Sequence, residues 1–350
     1  MSSLHSELVA ALRSQQRSCA QLGSSFYAGL LDRVIADVEA DGVCAEAMRG
    51  PWSEDLISMA VSLRFLGALN RLVLAHAAPE LSALWPPAAE TVNPSIGSVM
   101  ARAVSEHLDR VQTDMLAVVQ TNEVARSGVL AGGFLTVARQ TGLPLRLLEL
   151  GASAGLNLCW DHYRYHDRGT TWGDPKSPLL LSGPYDGGPT PLVGDVAVGE
   201  RRGCDLHPID PADDADRLWL RSFVWPDQPI RLARLDAAIS IASQHPSTID
   251  AESAVSWLPA ALRALPAGAA TVVLHSIVLQ YLAPEQRRVV ADAIIEAGSR
   301  ATADAPLAWL RFEVADPDDD RATLELITWP GEERRGLARA GYHGSPVTWT

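Results

Sequence analysis

The chain has 350 residues, 47% of them hydrophobic and 20% charged, with a formal net charge of −13. That length and apolar content suit one large domain or two ordinary ones and exclude a disordered chain. The acidic balance argues against a duplex nucleic-acid partner, because phosphate binding needs a basic footprint.

In chain order, residues 1–142 predict a helical N-terminal domain. Leu4, Leu8 and Leu12, then Leu30, Leu31, Val34, Ile35 and Val38, then Leu56, Met59, Leu63, Leu66 and Leu69 recur at helical spacing. A long helix is expected over 98–126, and no strand before residue 145. After Pro144 the pattern changes to short apolar runs alternating with amphipathic stretches. Strands are expected at 145–150, 196–206, 247–249, 270–275, 308–313, 322–328 and 347–349. Helices are expected at 214–222, 231–243, 254–264 and 284–297. A Gly-, Pro- and Asp-rich insertion occupies 166–195. This alternation predicts an α/β domain over 143–350, with a Rossmann-like, mainly parallel sheet and an antiparallel final strand.

Cys19, Cys44, Cys159 and Cys204 are widely spaced and form no CxxC pair, so neither a zinc site nor a disulfide framework is implied. Met1-Ser2-Ser3-Leu4-His5 lacks the basic and apolar regions of a signal peptide, and the apolar run near 271–283 is too short to span a bilayer. The expectation is a cytoplasmic protein with no membrane partner.

Residues 147–158, Leu-Leu-Glu-Leu-Gly-Ala-Ser-Ala-Gly-Leu-Asn-Leu, have two chemically opposed readings. Gly151, Ser153 and Gly155 spell the GxSxG elbow of serine hydrolases, for which Ser153, Asp316 and His343 supply a triad order. Alternatively, Glu149 ends a strand that enters a small-residue loop, as in nucleotide-binding α/β folds. The segment follows the first strand of the sheet, and no earlier strand supplies an oxyanion loop, which favours the cofactor reading. Asp205, at the end of the next strand, is placed to accept hydrogen bonds from ribose hydroxyls. It lies well beyond the usual spacing from the glycine loop, and the insertion accounts for the gap.

These segments, with Gly203-Cys-Asp205-Leu-His-Pro208, Asp250-Ala251 and Val272–Glu285, resemble the order of motifs in class I S-adenosylmethionine-dependent methyltransferases. The resemblance covers about residues 145–350. It implies that Glu149, Gly151, Ser153 and Gly155 shape a methionine pocket, Asp205 holds the ribose and Asp250 faces the adenine. Ser153 stands where that family commonly has glycine. More closely, the whole chain resembles a bacterial, largely actinobacterial family, domain of unknown function 2332. Gln120-Thr-Asn122-Glu123-Val-Ala-Arg126-Ser127, the GASAGLNL loop, Asp161-His-Tyr163-Arg164-Tyr165 and Leu218-Trp219-Leu-Arg221-Ser-Phe-Val-Trp225-Pro226 carry that likeness.

Candidate chemistry follows from these segments. Gln120, Asn122, Glu123, Arg126 and Ser127 form two polar rows on a helix, which orient an acceptor or make a solvated face. Asp161 and Arg164 are candidates for binding a polar acceptor, and Tyr163 for proton transfer. His162 and His166 have a metal-compatible spacing, but no third ligand is specified, so no metal is expected. His275 ends an apolar strand, either as a general base or as a buried structural histidine. Tyr281 belongs to the same crevice, or to helix packing. Trp219, Trp225 and Trp257 read as packing anchors. Asp316, Asp318, Asp319 and Asp320 resemble a calcium loop only superficially.

The sequence therefore points to methyl transfer from S-adenosylmethionine to a small-molecule substrate, with His275, Tyr163 and Glu123 as the catalytic candidates. Gln120, Asn122, Arg126, Asp161, Arg164 and Tyr281 are the substrate-binding candidates. A non-catalytic ligand-binding protein on the same fold and a serine hydrolase using Ser153 remain as alternatives.

Overall fold

The computed structural model describes residues 3–52, 55–89, 91–182, 185–314, 319 and 321–350. The chain divides into two compact units, Met1–Thr121 with Asp213–Ala233, and Asn122–Ala212 with Arg234–Thr350. The second unit thus begins at Asn122, some twenty residues ahead of the junction read from the sequence.

The described elements of the first unit are helices, including Ser25–Glu39, Val61–Leu74, Ile96–Glu106, Leu108–Leu116 and Asp214–Ser222. Leu30, Leu31, Val34 and Val38 share one face and are fully buried, as the helical period requires. Trp85 and Trp225 complete this core. The single helix expected over 98–126 is broken. It turns at His107, and Leu108–Leu116 ends where Ala117 becomes extended. Arg64 explains the stop: its guanidinium donates to the carbonyls of Met115, Leu116 and Ala117, at 3.1, 3.2 and 2.5 Å, satisfying groups that a further turn would otherwise have to pair.

The second unit carries twelve strands among its described residues: β1 (Leu145–Leu150), β2 (Arg164–Asp167), β3 (Thr170–Gly173), β4 (Leu180–Ser182), β5 (Tyr185–Gly187), β6 (Val198–Asp205), β7 (Thr248–Ala251), β8 (Ala270–Ser276), β9 (Leu307–Glu313), β10 (Arg321–Trp329), β11 (Glu333–Gly341) and β12 (Val347–Trp349). Nine form one sheet in the order β5-β12-β11-β10-β9-β8-β1-β6-β7, and β3-β2-β4 form a small second sheet within the insertion. β7, β6, β1, β8 and β9 are mutually parallel, and β5 joins β12 in parallel.

The final strand, β12, is antiparallel to its neighbour β11, as expected, and the antiparallel part extends further: β9, β10, β11 and β12 are joined by three antiparallel pairings. β11 escaped the pattern because its first four residues are exposed and only Ala338 and Ala340 are buried, so apolar alternation is nearly absent.

Residues on alternate positions of the sheet feed two faces. Leu148, Leu150, Val273, Trp309 and Ile327 pack with Trp257, Val290 and Ile294 of the Ala254–Ala261 and Pro284–Ser299 helices. Helix Ser127–Thr141 covers the other face, with Gly133 against Leu310. β1 and β8 are buried on both faces and accordingly read as apolar runs.

Candidate functional site

The connection from β1 leads to β6 on one side, and the chain later returns as β8 on the other. Such a reversal opens a crevice outside the carboxyl ends of the strands, where open α/β sheets bind ligands. Glu149 and the GASAG loop lie there.

Glu149 is 2% exposed, and its Oε2 has no hydrogen-bond partner. Burial, reinforced by the charge of Asp205, pushes its carboxyl up to about 8, while the Arg126 guanidinium opposes the rise. At neutral pH this side chain is therefore largely the neutral acid. Gly151 has φ +64, and a Cβ there would approach Val278 Cγ2 at 2.8 Å. Two strand-end loops thus meet at a position only glycine fits.

Ser153 adopts φ +54, an uncommon conformation for a residue with a Cβ. Its N–H donates to Asp205 Oδ2 at 2.9 Å, while the His207 N–H donates to Oδ1 at 2.9 Å. Asp205 therefore ties its own loop to the GASAG loop while each oxygen keeps a lone pair. Ser153 Oγ is buried without a partner, so the geometry gives this hydroxyl no adjacent base. Asp316, the acid in the triad order, lies outside the described residues, as do Asp318 and Asp320.

Leu156–His162, after the GASAG loop, is a 3-10 helix of seven residues, entered through Gly155 at φ +68. Polar side chains from 122–127 pin this turn. Asn122 Oδ1 accepts from Leu156 N at 3.2 Å, and Ser127 Oγ donates to the buried Asn157 Oδ1 at 2.6 Å. Asn157 was not singled out by sequence, although it closes the GASAGLNL motif.

The helix expected through this segment is corrected too: Glu123 precedes a short 3-10 turn, Val124–Arg126, and accepts from Ala125 N. Arg126 is 8% exposed and donates to the carbonyls of Ser276 (2.9 Å) and Tyr342 (3.0 Å). It is a buried organiser of the β8 end, not part of a solvated face. Gln120 belongs to the first unit and is 6% exposed.

The remaining candidates separate. Tyr163 is fully buried, its hydroxyl donates to Leu156 O, and burial raises its phenol well above its ordinary range, which removes it from proton transfer. Asp161 pairs with Arg201. Arg164 donates to Pro175 O at 3.3 Å. His162 stacks on His245 with ring centres 3.7 Å apart, and burial lowers its pKa. Asp250, at the end of β7, accepts from Trp257 Nε1 and Arg202, both at 2.6 Å, and these bonds hold its carboxyl below the usual range. Tyr281 is 66% exposed.

His275 is fully buried and has both ring nitrogens engaged. Trp309 Nε1–H donates to Nε2 at 2.9 Å, which leaves the proton on Nδ1 to reach Glu313 Oε1 at 2.6 Å. This corrects the general-base expectation: the lone pair a base needs is already occupied. Glu313 was missed, because nothing local marks a strand-end glutamate as the partner of a histidine 38 positions earlier.

Among the described residues, no cluster of three or more His, Cys, Asp or Glu could hold a metal ion, and no helix is long and apolar enough to cross a membrane. The four cysteines are buried and unlinked.

These features define a mixed α/β protein with a large, mostly parallel sheet, in which Glu149, Ser153 and Asp205 gather at the carboxyl ends of its central strands β1 and β6. The profile of a family described as "Uncharacterized protein conserved in bacteria (DUF2332)" matches residues 9–349, so the chain belongs to that family. No curated protein and no solved structure matches it.

Proposed function

We propose that this protein is an S-adenosylmethionine-dependent methyltransferase acting on a small-molecule acceptor, built as a helical N-terminal domain and a class I methyltransferase-like domain. One observation carries the reading. Where the strand order reverses on either side of β1, Glu149 Oε2 and Ser153 Oγ are buried without partners beside the carboxylate of Asp205. Orphaned buried polar atoms cost free energy unless a ligand satisfies them.

The residues fit such a cofactor. The positive-φ loop from Gly151 to Gly155 brings the backbone close to a ligand, and the open lone pairs of Asp205 suit vicinal ribose hydroxyls. Asp250, held by Trp257 and Arg202, supports an adenine edge. When bound, the cofactor supplies an electrophilic methyl group on a sulfonium. The chain's own part is alignment and exclusion of water. Glu149 accepts from the ligand's cationic portion, Asn122 and Ser127 hold the loop rigid, and Arg126 fixes the β8 end against which an acceptor docks. Asp161 and Arg164, already engaged with neighbouring groups, shape the loop rather than the acceptor pocket.

The engagement of His275 and Tyr163 favours one second reading, a ligand-binding protein without turnover. Titration calorimetry with S-adenosylmethionine and S-adenosylhomocysteine tests the binding that both share. Heat of binding that weakens by roughly tenfold or more in Asp205→Ala supports the pocket, on the scale of a lost hydrogen bond to a charged acceptor. Absence of heat with both ligands overturns it. Labelling of Ser153 by an activated phosphonate would instead establish the hydrolase.

A further inference from the structure

We propose that Glu313 is a positioning residue that clamps the loop after β8 into the shape that closes one wall of the β1 crevice. It does so through His275 and the amides of Val278 and Leu279. The idea extends the cofactor-site reading but stands on separate geometry.

Glu313 ends β9, and its Oε1 collects three donors: His275 Nδ1 at 2.6 Å, Val278 N at 3.0 Å and Leu279 N at 3.4 Å. The preceding amide, Ile277 N, donates to Phe312 O at 2.9 Å. Three consecutive amides of this loop are thus anchored to the last two residues of β9, two of them on the Glu313 carboxylate and one on the Phe312 carbonyl.

The loop needs the anchor. Ile277 has φ +56, and a β-branched residue in the left-handed region is a genuine outlier that persists only where its surroundings enforce it. The next residue, Val278, is the one that lies against Gly151 of the GASAG loop. The enforced bend therefore sets the distance between the two loops that flank the crevice.

The clamp is itself braced. In the β8–β9 register His275 lies opposite Arg311, so Trp309, Arg311 and Glu313 share its face of the sheet. Trp309 fixes the His275 tautomer, while Arg311 lies 5.1 Å over the Trp309 ring and pairs with Glu325. His275 and Trp309 are buried, with Arg311 and Glu325 half-buried around them, and hydrogen bonds linked in this way favour one arrangement.

Hydrogen exchange and S-adenosylhomocysteine binding on the full chain test this, using Glu313→Ala and Glu313→Gln. Gln retains an acceptor oxygen at the same reach, whereas Ala leaves the amides and His275 without one. In Glu313→Ala the Val278 and Leu279 amides should exchange at least tenfold faster, with β1 and β6 protection unchanged, and Gln should restore most of the protection. Affinity for S-adenosylhomocysteine should fall roughly tenfold in Ala and recover in Gln. Unchanged exchange at 277–279 in Ala would overturn the clamp. So would faster exchange spread equally over the whole sheet, which marks a purely structural role. A wild type that binds no S-adenosylhomocysteine would overturn the cofactor reading, while the exchange measurement still decides the clamp.

Discussion

Glu149 is held neutral by its surroundings, and that has measurable consequences. Its carboxyl titrates near 8 in the folded protein against 4.5 for an unperturbed one, with burial as the main cause. Between those two values the folded state binds more protons than the unfolded one, so stability falls as pH rises. The contribution is intact below about 4.5 and is lost by the time pH passes about 8, at about 1.4 kcal/mol per pH unit between them. Denaturant unfolding of wild type and Glu149→Gln from pH 5 to 9 should show the wild type losing ground steadily, with the variant flatter. Parallel curves would contradict the assignment.

A cationic ligand beside Glu149 lowers its pKa, so binding at pH 7 should release close to one proton. Calorimetry in buffers of different ionisation enthalpy reads that number, and no buffer dependence would count against a cation at this position. At the residue scale the sequence marked Glu149, Ser153 and Asp205 because strand ends and glycine spacing are local signals. The engagement of His275 was illegible, since it depends on Trp309, 34 positions away, and on Glu313.

At the scale of elements, short turns with no periodicity of their own carry much of the site. Gly344 shows this: it has φ +76, and a Cβ would fall 2.6 Å from the backbone of Ala125. That close approach seats the Tyr342 carbonyl on Arg126. Gly344→Ala should destabilise the protein by about 2 kcal/mol, from steric overlap added to left-handed strain. Chemical denaturation checks this, and a loss within about 0.5 kcal/mol, the range of neutral surface changes, would contradict the packing.

In the first unit, Asp227 accepts from Ser24 Oγ at 2.7 Å and Phe26 N at 3.0 Å, tying residues 213–233 to the start of the Ser25–Glu39 helix. Asp227→Ala should cost about 2 kcal/mol of stability, with Asp227→Asn retaining part of it, by the same measurement. The buried strands β1, β8 and β9 were legible as apolar runs. β11 and the 3-10 segments were not, because exposure removes the apolar period and a seven-residue turn offers no repeat.

At the scale of the whole molecule, chain order and spatial grouping diverge. Residues 213–233 follow β6 in sequence yet belong with the first unit, where Trp225 joins the core and Phe223 packs on Gly67. A fragment of residues 1–121 should therefore lack a fixed core, and near-ultraviolet circular dichroism should show little aromatic signal. A cooperative, native-like fragment would contradict the grouping. Sequence periodicity reveals the Asp214–Ser222 helix but not this exchange, because no local pattern distinguishes it from the crossover that an α/β reading expects there.

The central claim is that the crevice at the carboxyl end of β1 holds S-adenosylmethionine. A crystal structure grown with S-adenosylhomocysteine tests it most directly. The account expects density along Gly151–Gly155, with the ribose hydroxyls on Asp205 and the amino group within hydrogen-bond reach of Glu149. Crystals saturated with the ligand that show Glu149 Oε2 and Ser153 Oγ still unpartnered, or the ligand bound elsewhere, would contradict it.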